Sequence, residues 1–273
     1  MTENNEKQEA ALRKLKISQH KSRPVADDYI SRIFANITEL HGDRYYGDDG
    51  AVFTALAAFN GQPVTVIAHK KGKNTKDNIK ANWGMAHPEG YRKALRQMKL
   101  ADKFSRPVFT FVDTPGAYGG QSAEERGQGE AIAKNLFEMS KLGVPVISVI
   151  ITQGGSGGAL GIALANRVLM LENANYSVIS PRGFASLLWK DPSREYEAAT
   201  KQKMTADDLL GFGVIDSIIA EPLEGAHKDI DLTAAAIKLS FEHHLKRLQA
   251  MSRGELIEDR YKKFRNMGFY SEA

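Results

Sequence analysis

Hydrophobic and polar positions alternate in two different periods along this chain. Ile30, Ile33, Phe34, Ile37 and Leu40 recur at helical spacing after an acidic "ADD", and "HGDR" ends the pattern, so one amphipathic helix is expected there. Two β-rich runs follow, "AVFTALAAF" and "QPVTVIAH". They are separated by Asn60-Gly61, a pair suited to a two-residue type I′ turn, and so predict a hairpin. The chain then alternates between helices and continuous apolar runs. A helix "PEGYRKALRQMKLADKF" precedes a strand "PVFTFVD". A helix from about Glu124 to Lys141 precedes a strand "VPVISVIIT" and a short helix from about Gly157. "VLMLEN", "YSVIS" and "VIDSII" read as later strands, and "DLTAAAIKLSFEHHLKRLQAM" opens a helical tail reaching about Asn266. Buried strands separated by helices predict an α/β fold with helices packed over sheets. No linker, low-complexity tract or repeat divides the chain, so one domain with helical ends is expected.

Composition narrows the chemistry. The 273 residues, 42% apolar, are enough to bury a full core. With no cysteine there is no disulfide, thiolate metal site or cysteine nucleophile. The formal net charge of +4 comes from interleaved charges, the pattern of a solvated surface. The opening "MTENNEKQEAALRKLKISQH" lacks the apolar core of a signal peptide, and nowhere do about 18 uncharged apolar residues run together. A cytoplasmic, untargeted protein is expected.

Two strands end in glycine-rich turns, "FTFVDTPGAYGG" (109–120) and "VIITQGGSGGALG" (149–161), and each runs into a helix. Such turns aim free N–H groups at one point, where a developing negative charge is stabilised. The bland alternative is that the glycines only permit tight turns. "GGSGG" also satisfies the G-x-S-x-G pattern of a serine hydrolase, with Ser156 as nucleophile and His227, His243 or His244 as base. Against that, His243 and His244 fit the solvated face of a helix, and His227 lies in a polar loop. Lys70, Lys71, Lys73, Lys76 and Lys80, with Trp83 nearby, could hold a phosphate-bearing ligand or nucleic acid, or form a solvated mobile loop. Glu124, Glu125 and Glu130 are expected in a helix's first turn from the dipole alone.

Three of these stretches carry a family resemblance: "FVDTPGAYGGQSAEERGQGEAIAKNL", "GVPVISVIITQGGSGGALGIALANRVLMLENANYSVISPRGFASLLWK" and "GVIDSIIAEPLEGAH". With "GDRYYGDDGAV", "HKKGKNTKDNIKANWGMAHPEGYRKALRQMKLADKF" and "RYKKFRNMG", the sequence resembles the carboxyltransferase α subunit of bacterial acetyl-CoA carboxylase from about residue 25 onward. The resemblance implies a crotonase-like (ClpP/crotonase) α/β fold, a spiral of ββα units with flanking N- and C-terminal helices. It divides the chain into a charged N-terminal helical segment (1–24), a carboxyltransferase domain (25–250) and a C-terminal helical tail (251–273).

The resemblance further implies transfer of a carboxyl group from carboxybiotin, tethered to the biotin carboxyl carrier protein, to acetyl-CoA, giving malonyl-CoA for fatty acid biosynthesis. Implied partners are a β subunit, in an assembly of two α and two β chains, the carrier protein, and a biotin carboxylase component that uses ATP. No metal is expected in this chain, because the family's zinc belongs to the β subunit. Neither a membrane nor a nucleic acid is an expected partner. By position, the amides of Gly157 and Gly158 form the oxyanion hole for the biotin ureido oxygen, and Gly116 and Ala117 are a second contribution from the facing turn. Gly154, Gly155 and Tyr118 are placed at the biotin pocket. Many relatives carry Gly-Glu in place of Thr152-Gln153, and Tyr-Pro-Gly in place of Tyr118-Gly119-Gly120. Another biotin-dependent acyl-CoA carboxyltransferase or decarboxylase is the alternative within the same class.

Overall fold

The structure is a computed structural model that describes residues 3–268. Residues 1–2 of the charged opening and 269–273 of the tail lie outside the described residues. In chain order, helices α1 (Glu3–Ser18) and α2 (Ala26–Ile33) precede strands β1 (Ala35–Glu39), β2 (Val52–Phe59) and β3 (Gln62–His69). Helices α3 (Thr75–Lys80) and α4 (Pro88–Lys103), strand β4 (Val108–Thr114) and helices α5 (Gln121–Glu125) and α6 (Gln128–Met139) follow. Next come β5 (Val146–Gly155), α7 (Ser156–Ala163), β6 (Arg167–Leu171) and β7 (Asn175–Ser177). Helices α8 (Pro181–Trp189), α9 (Glu195–Lys201) and α10 (Ala206–Gly211), strand β8 (Ser217–Ile219), and helices α11 (Ile230–Gln249) and α12 (Arg253–Arg265) complete the chain.

The strands form one sheet in the order β1-β2-β3-β4-β5-β6-β8. The first three pair antiparallel, and the pairs from β3 through β4, β5 and β6 to β8 are parallel. The residues explain why. β4 and the first six residues of β5 are buried throughout, as expected for parallel strands covered on both faces. β5 serves two neighbours: Ile147–Ile150 pair with β6, and Gln153–Gly155 pair with β7. The hairpin turns where expected, with Asn60 and Gly61 at φ 49° and 82° and Phe59 paired to Gln62. Phe34, Phe59, Phe109 and Phe241 pack ring against ring between the sheet and helices α2 and α11, with centroids 4.7–6.5 Å apart.

Four sequence-based expectations are corrected. The helix expected through Leu40 stops at Ile33, because Phe34 is extended and Asn36 adopts a left-handed φ of 52°. Ala35, Thr38 and Glu39 then pair along β2 as an edge strand, with Ile37 in the irregularity between them, a tertiary override of helical spacing. The helix expected from Glu124 to Lys141 is two helices, broken at Gly127 with φ 83°. The long tail is also two helices, the second capped by Ser252, whose side chain accepts from Glu255 while Glu255 reaches back to the Ser252 amide. The lysine segment is not a plain loop: Asn74 caps α3, and Lys71 and Lys73 are tied to Asp113 (2.6 Å) and Asp28 (2.5 Å).

Candidate functional site

β4 and β5 lie side by side with Thr114 paired to Gly154, so their two glycine turns leave the sheet together. The turns pack main chain on main chain. A Cβ added to Gly155 would lie 2.1 Å from the carbonyl oxygen of Pro115. One added to Gly158 would lie 2.4 Å from the nitrogen of Ala117 and 2.5 Å from the carbonyl carbon of Gly116. Real Cβ atoms do not approach so closely, so glycine at 155 and 158 is what allows the contact. Gly116 sits at φ 148°. The Thr114 hydroxyl accepts the Gly116 amide at 3.1 Å and donates to its carbonyl at 2.8 Å, so this amide already has a partner.

Helix α7 starts directly at the second turn and is held from below. The Tyr91 hydroxyl donates to the Gly158 carbonyl at 3.3 Å, and Asn135 donates to the Gly161 carbonyl at 2.9 Å. The Tyr91 ring takes the space a side chain at 161 would need, 2.7 Å from an added Cβ. Burial raises the Tyr91 hydroxyl above its ordinary value. His69, at the end of β3, is fully buried, and both its ring nitrogens lack partners. Burial, with a further push from Lys71, lowers this imidazole to about 3, so it stays neutral. Neither Tyr91 nor His69 carries a sequence signal, since each reads as an ordinary helix or strand residue.

Gly157 differs from Gly158. It is partly exposed, and a Cβ there would find only Ile132, at 3.8 Å. With Ser156 it lines a pocket of about 600 Å³ walled by Leu160, Tyr176, Phe184 and Phe212. Burial pushes Tyr176 up to about 12, and its ring lies against Gly154, 2.7 Å from an added Cβ. Tyr176 is a pocket residue that sequence reasoning missed. Among the described residues no histidine or carboxylate lines this pocket, whose charged side chains are Lys201 and Lys203.

The expected site residues are therefore sorted by position. Gly157 faces the pocket; Gly158, Gly116, Ala117 and Gly155 form the packed seam behind it; Gly154 supports Tyr176. Tyr118 is placed elsewhere: its amide donates to the Ala86 carbonyl at 3.0 Å, and its ring packs on His87 with centroids 4.5 Å apart. Thr152 and Gln153 line a different cavity, beside Arg23, Lys71 and Asp113. There the Arg23 guanidinium binds the Ile151 carbonyl and forms a buried two-point pair with Glu221 (2.7 and 2.8 Å).

Ser156 has a left-handed φ of 51° at a strand-to-helix turn, as a hydrolase nucleophile would, yet no base serves it. His227 stacks on His20 at 3.8 Å, and His244 contacts the Ser217 hydroxyl at 3.3 Å. The solvated-face reading of His244 is also corrected. The residue is buried, and burial, with the neighbouring His243, lowers its imidazole to about 4. Among the described residues no group of three or more His, Asp or Glu could hold a metal ion, and no helix is long and apolar enough to cross a membrane.

Residues 2–268 match the family described as acetyl co-enzyme A carboxylase carboxyltransferase-like. The chain is 57% identical over 259 residues to the acetyl-coenzyme A carboxylase carboxyl transferase subunit alpha of Staphylococcus aureus, covering 95% of this chain and 82% of that one. It is 55% identical, with the same coverage, to the Staphylococcus saprophyticus protein of that name. Among solved structures it is similar to transcarboxylase 12S with methylmalonyl-coenzyme A and methylmalonic acid bound, with a TM-score of 0.63 and 21% identity over 83% of this chain. The chain spans 44% of the transcarboxylase's length. A Pseudomonas malonate decarboxylase hetero-dimer matches with a TM-score of 0.61 and 16% identity, covering 79% of this chain and 85% of that one.

Proposed function

We propose, from the premise that this chain belongs to the acetyl co-enzyme A carboxylase carboxyltransferase-like family and has the crotonase-like fold, that it is the α subunit of a carboxyltransferase making malonyl-CoA from acetyl-CoA. It works in the cytoplasm with a β subunit, in an assembly of two α and two β chains. The biotin carboxyl carrier protein and a biotin carboxylase complete the enzyme, and zinc is held by the β subunit. Residues 25–250 form the carboxyltransferase unit between the two helical ends.

The observation that carries this reading is the fused pair of glycine turns with Gly157 opening into an apolar pocket that holds no carboxylate or imidazole. That lining fits biotin: Leu160, Phe184 and Phe212 suit an apolar ring system, and a turn running into α7 offers amide donors. Bound carboxybiotin supplies the carboxyl group, and its ureido oxygen gains negative charge as that group departs. The amides of Gly157 and Gly158 are oriented before the reaction, so stabilising that charge requires no reorganisation at the moment of transfer. Because Thr114 already engages the Gly116 amide, the facing turn contributes through Ala117 and through rigid support. The acetyl-CoA side belongs mainly to the β subunit.

The test is co-purification with the β subunit, followed by an assay with carboxybiotin and a panel of acyl-CoA acceptors. Malonyl-CoA from acetyl-CoA is the expected product. A well-formed assembly that makes none overturns the reading, and preference for another acyl-CoA reassigns the acceptor.

A further inference from the structure

The segment "HGDRYYGDD" between β1 and β2 has no part in the proposed reaction, yet it is built with care. Asp43 is buried, and one of its oxygens accepts the amides of Tyr45, Tyr46 and Gly47 at 2.8–2.9 Å while the other takes Arg92 at 2.8 Å. Burial opposes its ionisation, but these four bonds hold the carboxyl below its ordinary value. The loop so fixed displays Tyr45 and Tyr46, 84% and 67% exposed. Each ring rests on a guanidinium, Arg92 at 5.1 Å and Arg126 at 4.7 Å. Glu89 pairs with both of these arginines, so they serve as neutralised supports for the rings.

Arg44 and Arg96 are different. Both donate to the same acceptor, the His41 carbonyl, at 3.0 Å, and among the described residues neither is paired with a carboxylate. Burial and the Arg44 charge together push Arg96 below its ordinary value. Arg44 also sits at a left-handed φ of 67°, a conformation unfavourable for a non-glycine residue. Its guanidinium lies over Gly42, 2.9 Å from where a Cβ would be. Two like charges are thus held together against repulsion and backbone strain. They open onto a cleft of about 1090 Å³ between this loop, α4 and α6. Lys103 and Lys134 also line the cleft without an acidic partner among the described residues, and Glu125 and Glu130 are acids that line it too.

An anion between Arg44 and Arg96 removes their repulsion, and the exposed rings offer a flat apolar surface beside it. We propose that this cleft binds a nucleotide polyphosphate, with phosphates at Arg44 and Arg96 and the base against Tyr45 and Tyr46. A free nucleotide and the phosphorylated adenosine end of coenzyme A carry the same chemistry.

The experiment is calorimetric titration of the α–β assembly with ADP, coenzyme A, pyrophosphate and adenosine. ADP is expected to bind, more weakly as salt rises. Arg44→Gln and Arg96→Gln should each weaken ADP by about tenfold or more. Tyr45→Ala, at a side chain that is 84% exposed, should weaken ADP and leave pyrophosphate unchanged. Both arginine variants weakening coenzyme A as well assigns the cleft to the adenosine end of coenzyme A; coenzyme A binding that ignores them assigns it to free nucleotide. No ADP binding by the assembly, or ADP binding indifferent to all three variants, overturns the proposal. Binding by the isolated chain that is lost in the assembly also overturns it, since the partner then covers the cleft.

Discussion

Gly157 and Gly158 are adjacent glycines in one turn, and the structure predicts opposite responses to the same substitution. In Gly158→Ala the new Cβ would lie 2.4–2.5 Å from main-chain atoms of Ala117 and Gly116, where neither side can rotate away. The two turns must separate by about 1 Å, and a shift of that size at a reacting centre costs about 10²-fold in rate. The overpacking itself should cost about 1–3 kcal/mol. In Gly157→Ala the nearest atom is Ile132 Cγ2 at 3.8 Å, an ordinary contact, and the residue lies in α7 without a positive φ. The alanine should therefore stabilise the helix by about 0.5–1 kcal/mol. The assays are thermal unfolding of the purified chain and malonyl-CoA formation by the α–β assembly. Gly158→Ala should melt lower and lose most of its kcat. Gly157→Ala should melt at the same temperature or higher and keep most of its kcat. Equal melting temperatures and equal rates for the two variants would refute the packing argument.

Three further predictions rest on other parts of the molecule. Ser156→Ala should keep carboxyl transfer within a few-fold, since no base serves the hydroxyl, and a complete loss with the fold intact would revive side-chain nucleophilic catalysis. Arg260 is buried and donates to the carbonyls of Met139, Leu142 and Val144 and to the Asn166 side chain, so Arg260→Leu should lower unfolding stability by about 3–5 kcal/mol in denaturant titration. The imidazoles of His69 and His244 are lowered from an ordinary 6.5 to about 3 and about 4, so the unfolded chain binds more protons below pH 6.5. Stability should be fully present above pH 6.5 and fall as pH drops toward 4. His244→Gln should flatten that slope in denaturant melts at stepped pH, and an unchanged slope would contradict the buried placement of His244.

Much of the α/β order was legible because buried parallel strands read as continuous apolar runs, and the Asn60-Gly61 turn names its own geometry. The errors have one physical source: helical spacing at Ile30 to Leu40 says nothing about the open edge of β2, which captures Thr38 and Glu39. Gly127 interrupts a helix because its φ is left-handed, whereas other glycines in helices do not, and composition cannot separate the two cases. His244 was misplaced for a similar reason, since α11 is covered over a wider arc than its amphipathic pattern suggests.

At the site, sequence located the turns but not the reason for each glycine. "GGSGG" contains two glycines that close main-chain packing demands, Gly155 and Gly158, and one that faces open space, Gly157. That distinction bears on how the turn can act. A nucleophilic serine needs a partner base; among the described residues no imidazole or carboxylate lines the pocket beside Ser156, whose titratable side chains are Tyr176, Lys201 and Lys203, while the imidazole beneath the turn, His69, is fully buried and held neutral. We propose that main-chain polarity at the start of α7, fixed by the seam with Gly116 and Ala117, is what acts at the pocket. Amides do not titrate in the physiological range, so this chain's share of the chemistry should carry no pH dependence of its own between about pH 6 and 9. Any bell-shaped profile in carboxyl transfer must then come from the substrates or from the partner subunit.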